Sequence, residues 1–197
     1  DLYAKSHKKP LWQIICEMRP DEMIELIDFK YIEDAITKAS ALAILNNLYD
    51  TRNERIQLLK NNGYPAYTTS AGWLGYSKEK LETLCKQAKK ENWNYLKFKV
   101  GSNLEEDINR LSLARKILGN DIIIMIDANQ VWSIQEAIVW MDSLKEFNPW
   151  FIEEPTNPDD ILGHLKIREA IKPIKVATGE HCQNKVMFKQ YFQANAI

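Results

Sequence analysis

Five charged residues of this 197-residue chain sit where short apolar runs give way to turns. KFKVG (97–101) carries Lys97 and Lys99, IIIMIDANQ (122–130) carries Asp127, FIEEP (151–155) carries Glu153, and KVATGEH (175–181) carries Glu180. Counted from Lys99, the strand-end charges follow at gaps of 28, 26 and 27 residues, about one strand–helix–loop unit each. In a βα barrel the C-terminal ends of the strands gather at one face, and chemistry is placed there. The spacing predicts that two lysines and three carboxylates converge on one point. Carboxylates with no cysteine or histidine pairing suit a hard cation such as Mg²⁺. A lysine beside such a metal suits proton abstraction next to a carboxylate.

Each residue also has a plainer reading. Lys97 and Lys99 lie two apart on an expected strand, so their side chains share a face. Inside a sheet they need an anionic partner; on an edge strand they are simply solvated. Close like charge and burial both depress a lysine pKa, a route to a base near neutral pH. Asp127 ends a buried-looking strand, where it is either a metal ligand or a turn residue. Adjacent strand residues face opposite ways, so only one of Glu153 and Glu154 points to the barrel centre. The more even spacing selects Glu153, which leaves Glu154 to hydrogen-bond lysines or neighbouring strands. Glu180 follows Gly179, which permits a sharp strand exit. Each acid alone reads equally as a solvated loop residue; four strand ends carrying charge together do not. His181, beside Glu180, is a candidate to support a metal ligand from behind, a candidate substrate contact or an ordinary loop histidine; His164 reads as structural and His7 as exposed. Trp12, Trp93, Trp132, Trp140 and Trp150 read as core or helix packing, whereas Trp73 ends the first expected strand and can wall a pocket. Nothing pairs Cys182 with a base.

The elements that must position these residues are legible as alternation. AYTTSAGWLGY (66–76) reads as a first strand and its loop, followed by a helix opened by Ser77. YLKFKVG, DIIIMIDA, WFIEEP and IKVATGE read as four more strands. Between them run helical stripes with Ser102/Glu105 and Ser133/Glu136 as capping boxes, Gly119 as a stop, and Asn157–Pro158 as a helix start. A last helix begins near Asn184. Five β–α repeats argue for a parallel sheet, either an open doubly wound one or a partial (β/α)₈ TIM-type barrel; strand-end charges favour the barrel. Residues 37–62 look helical, and residues 1–19 give short helices split at Pro10. The barrel-like pattern starts only near residue 66. A complete barrel takes ~250 residues.

Composition bounds the rest. Hydrophobic content of 45% and charged content of 27% are ordinary for a globular protein. A net charge of −1 gives no reason to expect nucleic acid or an anionic membrane. No run approaches the ~18 apolar residues of a membrane span. Cys16, Cys85 and Cys182 read as reduced thiols, not a disulfide framework or zinc site.

The order K-x-K, D-A-N, E-E-P, G-E-H resembles the enolase superfamily. The strings GYPAYTTSAGWLGYS, DANQVW, EEPTNPDDILGH and ATGEHCQN resemble its L-fuconate dehydratase group over nearly the whole chain. That resemblance implies Mg²⁺-dependent dehydration of a sugar acid, L-fuconate to 2-keto-3-deoxy-L-fuconate. It implies Asp127, Glu153 and Glu180 as metal ligands and Lys99 as the base. Lys97 would hold the substrate carboxylate and tune Lys99, and Asn129 would contact substrate near the metal. Sites of this superfamily pair a lysine or histidine base with Mg²⁺ that stabilises an ene-diolate. The resemblance implies a division into 1–36, a remnant of the family's N-terminal α+β capping domain, and 37–197, the incomplete barrel. The family's later strands supply a His–Asp pair that neither His164 nor His181 can replace, so the chain alone is expected to be inactive. The resemblance further implies a mitochondrial location, with the cytoplasm as the alternative, and leaves a homo-oligomer of the full-length protein open. Competing readings are a racemase, a cycloisomerase or a dehydratase for another sugar acid. A truncated, non-catalytic form comes from a different class. A nucleotide-binding domain is disfavoured because no glycine-rich loop follows the first strand.

Overall fold

A computed structural model describes residues 1–197, which divide into two compact units, Asp1–Pro65 and Ala66–Ile197. The division falls after Pro65, not after residue 36. The segment 37–62 packs with the N-terminal helices, and a helical period alone does not say which core a helix joins.

The first unit is helical: α1 (Leu2–Ser6), α2 (Leu11–Glu17), α3 (Pro20–Ile24), α4 (Lys38–Tyr49) and α5 (Arg52–Asn62). Pro10 separates α1 from α2, as its spacing predicts. Pro20 opens α3, where a missing N–H costs nothing. Thr37 caps α4 through the Ser40 amide at 3.1 Å. Ile24, Phe29 and Ala41 form a small core, with Ile32, Ile36, Leu42 and Leu45 against it.

The second unit alternates helix and strand: α6 (Lys78–Lys90), β1 (Tyr95–Lys99), α7 (Leu104–Leu118), β2 (Ile123–Asp127), α8 (Ile134–Leu144), β3 (Phe151–Glu153), α9 (Ile161–Ala170), β4 (Lys175–Ala177) and α10 (Lys185–Gln193). The sheet is parallel throughout, in the order β1-β2-β3-β4. Leu96, Phe98, Ile124, Ile126, Ile152 and Val176 pack with Leu81, Leu111, Ala114, Met141, Leu144 and Ile167 of the helices. Two buried faces explain why β2 reads as a continuous apolar run. No helix is long and apolar enough to cross a membrane.

Four details differ from the sequence reading. The run 66–76 is not a strand: it makes one isolated bridge, Thr68 to Leu96. The chain turns at once, with the Gly72 amide on the Thr69 carbonyl at 2.9 Å, before Gly72 receives the Lys99 amide at 2.8 Å. Helix α7 is capped by Asn103, whose side chain accepts from the Glu106 amide, and not by Ser102. Helix α9 starts at Asp160, which accepts from the Gly163 amide, while Asn157 only closes a turn on the Asp159 amide. Trp12 and Trp150 are exposed; Trp132 is buried and stacks on Trp140 at 5.5 Å. The Ser77, Ser133 and Asn184 caps and the Gly119 stop stand as expected.

Candidate active site

The strand register explains how the charges meet. Lys99 pairs with Asp127, Asp127 with Glu153, and Glu153 with Ala177. Three of the charges therefore share one row across the sheet. Glu180 lies three residues beyond that row, past Gly179 (φ 147°).

Asp127 is the hub of the row. It is buried, and its Oδ2 accepts from Lys99 Nζ at 2.7 Å and faces Lys97 Nζ at 3.2 Å. Its Oδ1 accepts from the Asn129 amide at 3.0 Å. Lys99 Nζ also donates to Asn129 Oδ1 at 2.8 Å. Lys97 Nζ donates to Glu153 Oε2. Two lysines in an apolar sheet are thus matched by two carboxylates, as desolvated charges require.

Two aromatic rings face the lysines. Lys97 Nζ lies 5.0 Å from the Tyr67 ring centre and Lys99 Nζ lies 5.9 Å from that of half-exposed Trp73, both within cation–π reach. Trp73 lies in a loop and not at a strand end, with its ring facing Lys99. Tyr67 was not singled out from sequence; its place on the run that approaches β1 is the signal that marks it.

Burial pulls the Lys97 pKa down, but its hydrogen bonds to Glu153 and Tyr67 and the charges of Glu153 and Asp127 outweigh it, so the net shift is upward. This reverses the expectation that burial and a neighbouring lysine depress it. Lys97 is a fixed cation, suited to holding an anion and not to accepting a proton.

Glu154 is the second buried acid. Its Oε1 accepts from Gln130 Nε2 at 3.0 Å and lies 3.8 Å from His181 Nε2. Its backbone amide donates to the Ala177 carbonyl. Burial raises its carboxyl pKa, opposed by the Gln130 amide. Its Oε2 is buried with no hydrogen-bond partner. Glu180 groups with this residue and not with the Lys97 pair: ligand atoms of Glu154, Glu180 and His181 lie within 4.8 Å of one another. His181 Nε2 is 3.6 Å from Glu180 Oε1.

Glu154, Glu180 and His181 bring two carboxylates and an imidazole together, and the orphaned buried Oε2 of Glu154 is an acceptor that a cation would satisfy; Asp127 and Glu153 stand outside this group, bonded to Lys99 and Lys97. The residues fit a hard divalent cation. His164, by contrast, is buried against Tyr191 away from the row, with Nδ1 on the Asp160 carbonyl at 2.8 Å.

Residues 80–197 match the family described as "Enolase C-terminal domain-like". The whole chain is 51% identical to mitochondrial enolase superfamily member 1 of Xenopus laevis and 52% identical to L-galactonate dehydratase of Hypocrea jecorina. It spans 45% of the length of each. The crystal structure of human mitochondrial enolase superfamily member 1 superposes with a TM-score of 0.97 at 47% identity, over 100% of this chain and 45% of that one. A racemase from Streptomyces coelicolor with bound magnesium aligns at a TM-score of 0.63 and 26% identity, over 91% of this chain and 56% of its own. The parallel sheet with its flanking helices is thus a fragment of the TIM-barrel-like domain of that fold, and the chain belongs to the enolase superfamily.

Proposed function

We propose that this chain carries the base-and-metal half of an Mg²⁺-dependent sugar-acid dehydratase, acting on L-fuconate to give 2-keto-3-deoxy-L-fuconate. The observation that carries the reading is Lys99 Nζ held between Asp127 and Asn129, beside Lys97, which bonds Glu153 and faces Asp127. Asp127, Glu153 and Glu180 would hold the Mg²⁺. When bound, the ion offsets the negative charge that builds on the substrate carboxylate as the C2 proton leaves.

The residues of the chain do the rest. Lys97 binds the substrate carboxylate as a cation. Asn129 and Asp127 orient the Lys99 amine, which in its neutral form takes the C2 proton. The electron pair left on C2 then expels the 3-hydroxyl, which departs as water on receiving a proton. Trp73 and His181 wall the pocket and contact the substrate's hydroxyl-bearing carbons.

L-Galactonate is a specific second candidate, because a relative at 52% identity bears that name. L-Fuconate is L-galactonate without the C6 hydroxyl, so C2 to C5 present the same groups to the site. The relatives' names also favour a mitochondrial location, which imaging of a tagged full-length protein would test.

The test is Mg²⁺-dependent release of 2-keto-3-deoxy acid from both substrates, by this chain and by the chain continued to the length of its relatives. Release from L-fuconate by the longer form supports the reading. Release from L-galactonate alone moves the substrate. Mg²⁺ binding with neither released leaves only the metal site, and no Mg²⁺ binding removes the three-carboxylate assignment.

A further inference from the structure

Behind the charged row, one guanidinium gathers three carbonyls. Arg110 lies on α7, on the side facing the strand ends. Its Nη1 donates to the Lys99 carbonyl at 2.8 Å. Its Nη2 donates to the carbonyls of Gly72 at 3.0 Å and Trp73 at 3.1 Å. The Gly72 carbonyl also receives the Lys99 amide. The guanidinium is held in turn by Asp107 Oδ1 at 3.3 Å. Asp107 is buried, and its Oδ2 accepts from the Gly101 amide at 2.7 Å and from Trp140 Nε1 at 3.2 Å.

These bonds converge on the two ends of one feature of the mouth. Lys99 carries the amine and Trp73 the ring facing it, and the backbone of each hangs from the same guanidinium. The run 66–76 has little sheet pairing of its own, a single bridge at Thr68. Its attachment to the end of β1 therefore rests on Gly72 and Arg110. A planar fork of fixed N–H donors can serve three carbonyls at once; an ammonium on a flexible stem cannot.

We propose that Arg110 is a positioning residue for this site: by tying Gly72, Trp73 and Lys99 together it fixes where the Lys99 amine stands relative to the substrate C2. The proposal rests on the reading of Lys99 as base. Misplacing a reacting group by about 1 Å costs about 100-fold in rate, which sets the size of the effect to look for.

A solvent-open cavity of about 910 Å³, lined by Arg110 with Ser77, Glu106 and Lys116 among others, makes the clamp testable by rescue. Arg110→Ala should leave a space that guanidinium ion, at low millimolar concentration, can enter from that side. Two readouts are made. In this chain, amide hydrogen exchange at Lys99, whose N–H is bonded to Gly72, should quicken about tenfold in Arg110→Ala and slow again with guanidinium. In the longer form used for turnover, C2 deuterium exchange should fall about 100-fold with KM and Mg²⁺ affinity little changed. Guanidinium should restore it, and Arg110→Lys should behave like Arg110→Ala. Where Arg110→Ala folds poorly, Arg110→Lys and Asp107→Asn give the same two readouts. Wild-type Lys99 protection and wild-type C2 exchange in a folded Arg110 variant would overturn the proposal, as would a loss that tracks unfolding and is not restored by guanidinium. Persistence of C2 exchange in Lys99→Ala would instead remove the base reading, while the amide result would still decide whether the clamp exists.

Discussion

Lys99 and Asp127 are partners twice over: they face each other in the register of β1 and β2, and their side chains close at 2.7 Å. Backbone pairing thus fixes a side-chain ion pair at the last residue of each strand. A one-residue slip of β1 against β2 would turn Lys99 to the other face and break the contact.

Lys99→Ala should abolish C2 proton exchange in the longer form while Mg²⁺ still binds. General-base loss alone is worth about 100- to 10,000-fold. The check is incorporation of solvent deuterium at C2 by NMR, beside calorimetric Mg²⁺ titration. Exchange at the wild-type rate would assign the base elsewhere.

Asp127→Ala leaves Lys97 and Lys99 without the carboxylate they share, with the Lys97 side chain almost wholly buried. Removing one partner of a buried charge group costs about 3–5 kcal/mol. Urea unfolding without Mg²⁺ should show a loss of that order, and Mg²⁺ should no longer stabilise the variant. A change below about 1 kcal/mol would show that the lysines find water readily.

Much of the site was legible because strand-end charges at one-unit spacing leave a barrel few other arrangements. Lys99, Asp127 and Glu153 fall in one row because β1, β2 and β3 pair without stagger at their ends. Glu180 does not join the row, because β4 ends at Ala177 and Gly179 redirects the chain. AYTTSAGWLGY reads as a strand and its loop, but the strand part is reduced to one bridge at Thr68, because the turn at Thr69–Gly72 follows from close packing on β1, which no local pattern reports. Arg110 was missed for a related reason. An arginine in a helical stripe looks solvated until tertiary structure brings carbonyls to it.

Gly72→Ala should be among the most damaging single changes in the second unit. A Cβ there would lie 2.0 Å from the Lys97 carbonyl oxygen and 2.8 Å from Phe98 Cα, both backbone atoms that cannot rotate away. Overpacking of this kind costs about 1–3 kcal/mol or more. Thermal denaturation should place the loss at the upper end, with Lys99 amide protection lost as well. Gly63→Ala, with nothing within 4 Å of the added atom but a left-handed backbone (φ 71°), separates the conformational cost from the steric one.

His164 should give stability a pH dependence in the acid range. Burial lowers its pKa, opposed by its bond to the Asp160 carbonyl, and its Nε2 is buried with no partner for a second proton. The unfolded chain therefore takes up a proton that the folded chain resists. This contribution is intact above the unfolded value of about 6.5 and is lost as pH falls below it toward the lowered folded value. Between about pH 7.5 and 5.5, a window that brackets that unfolded value, the wild type should lose more unfolding free energy than His164→Gln. Equal losses would place the titration in other groups.

The strand exits are also stitched to each other. Asn129, Gln130 and Glu154 all hold left-handed backbone at φ 47°, 66° and 48°. The Gln130 amide donates to the Glu154 carbonyl at 2.8 Å, while the two side chains bond in parallel. Segments wired in this way tolerate neither insertion nor deletion, since one added residue would uncouple both links at once. Added length should therefore be accepted only beyond the stitched rim, after residue 130 and after Pro155, where it leaves the Lys99–Asp127 pair undisturbed.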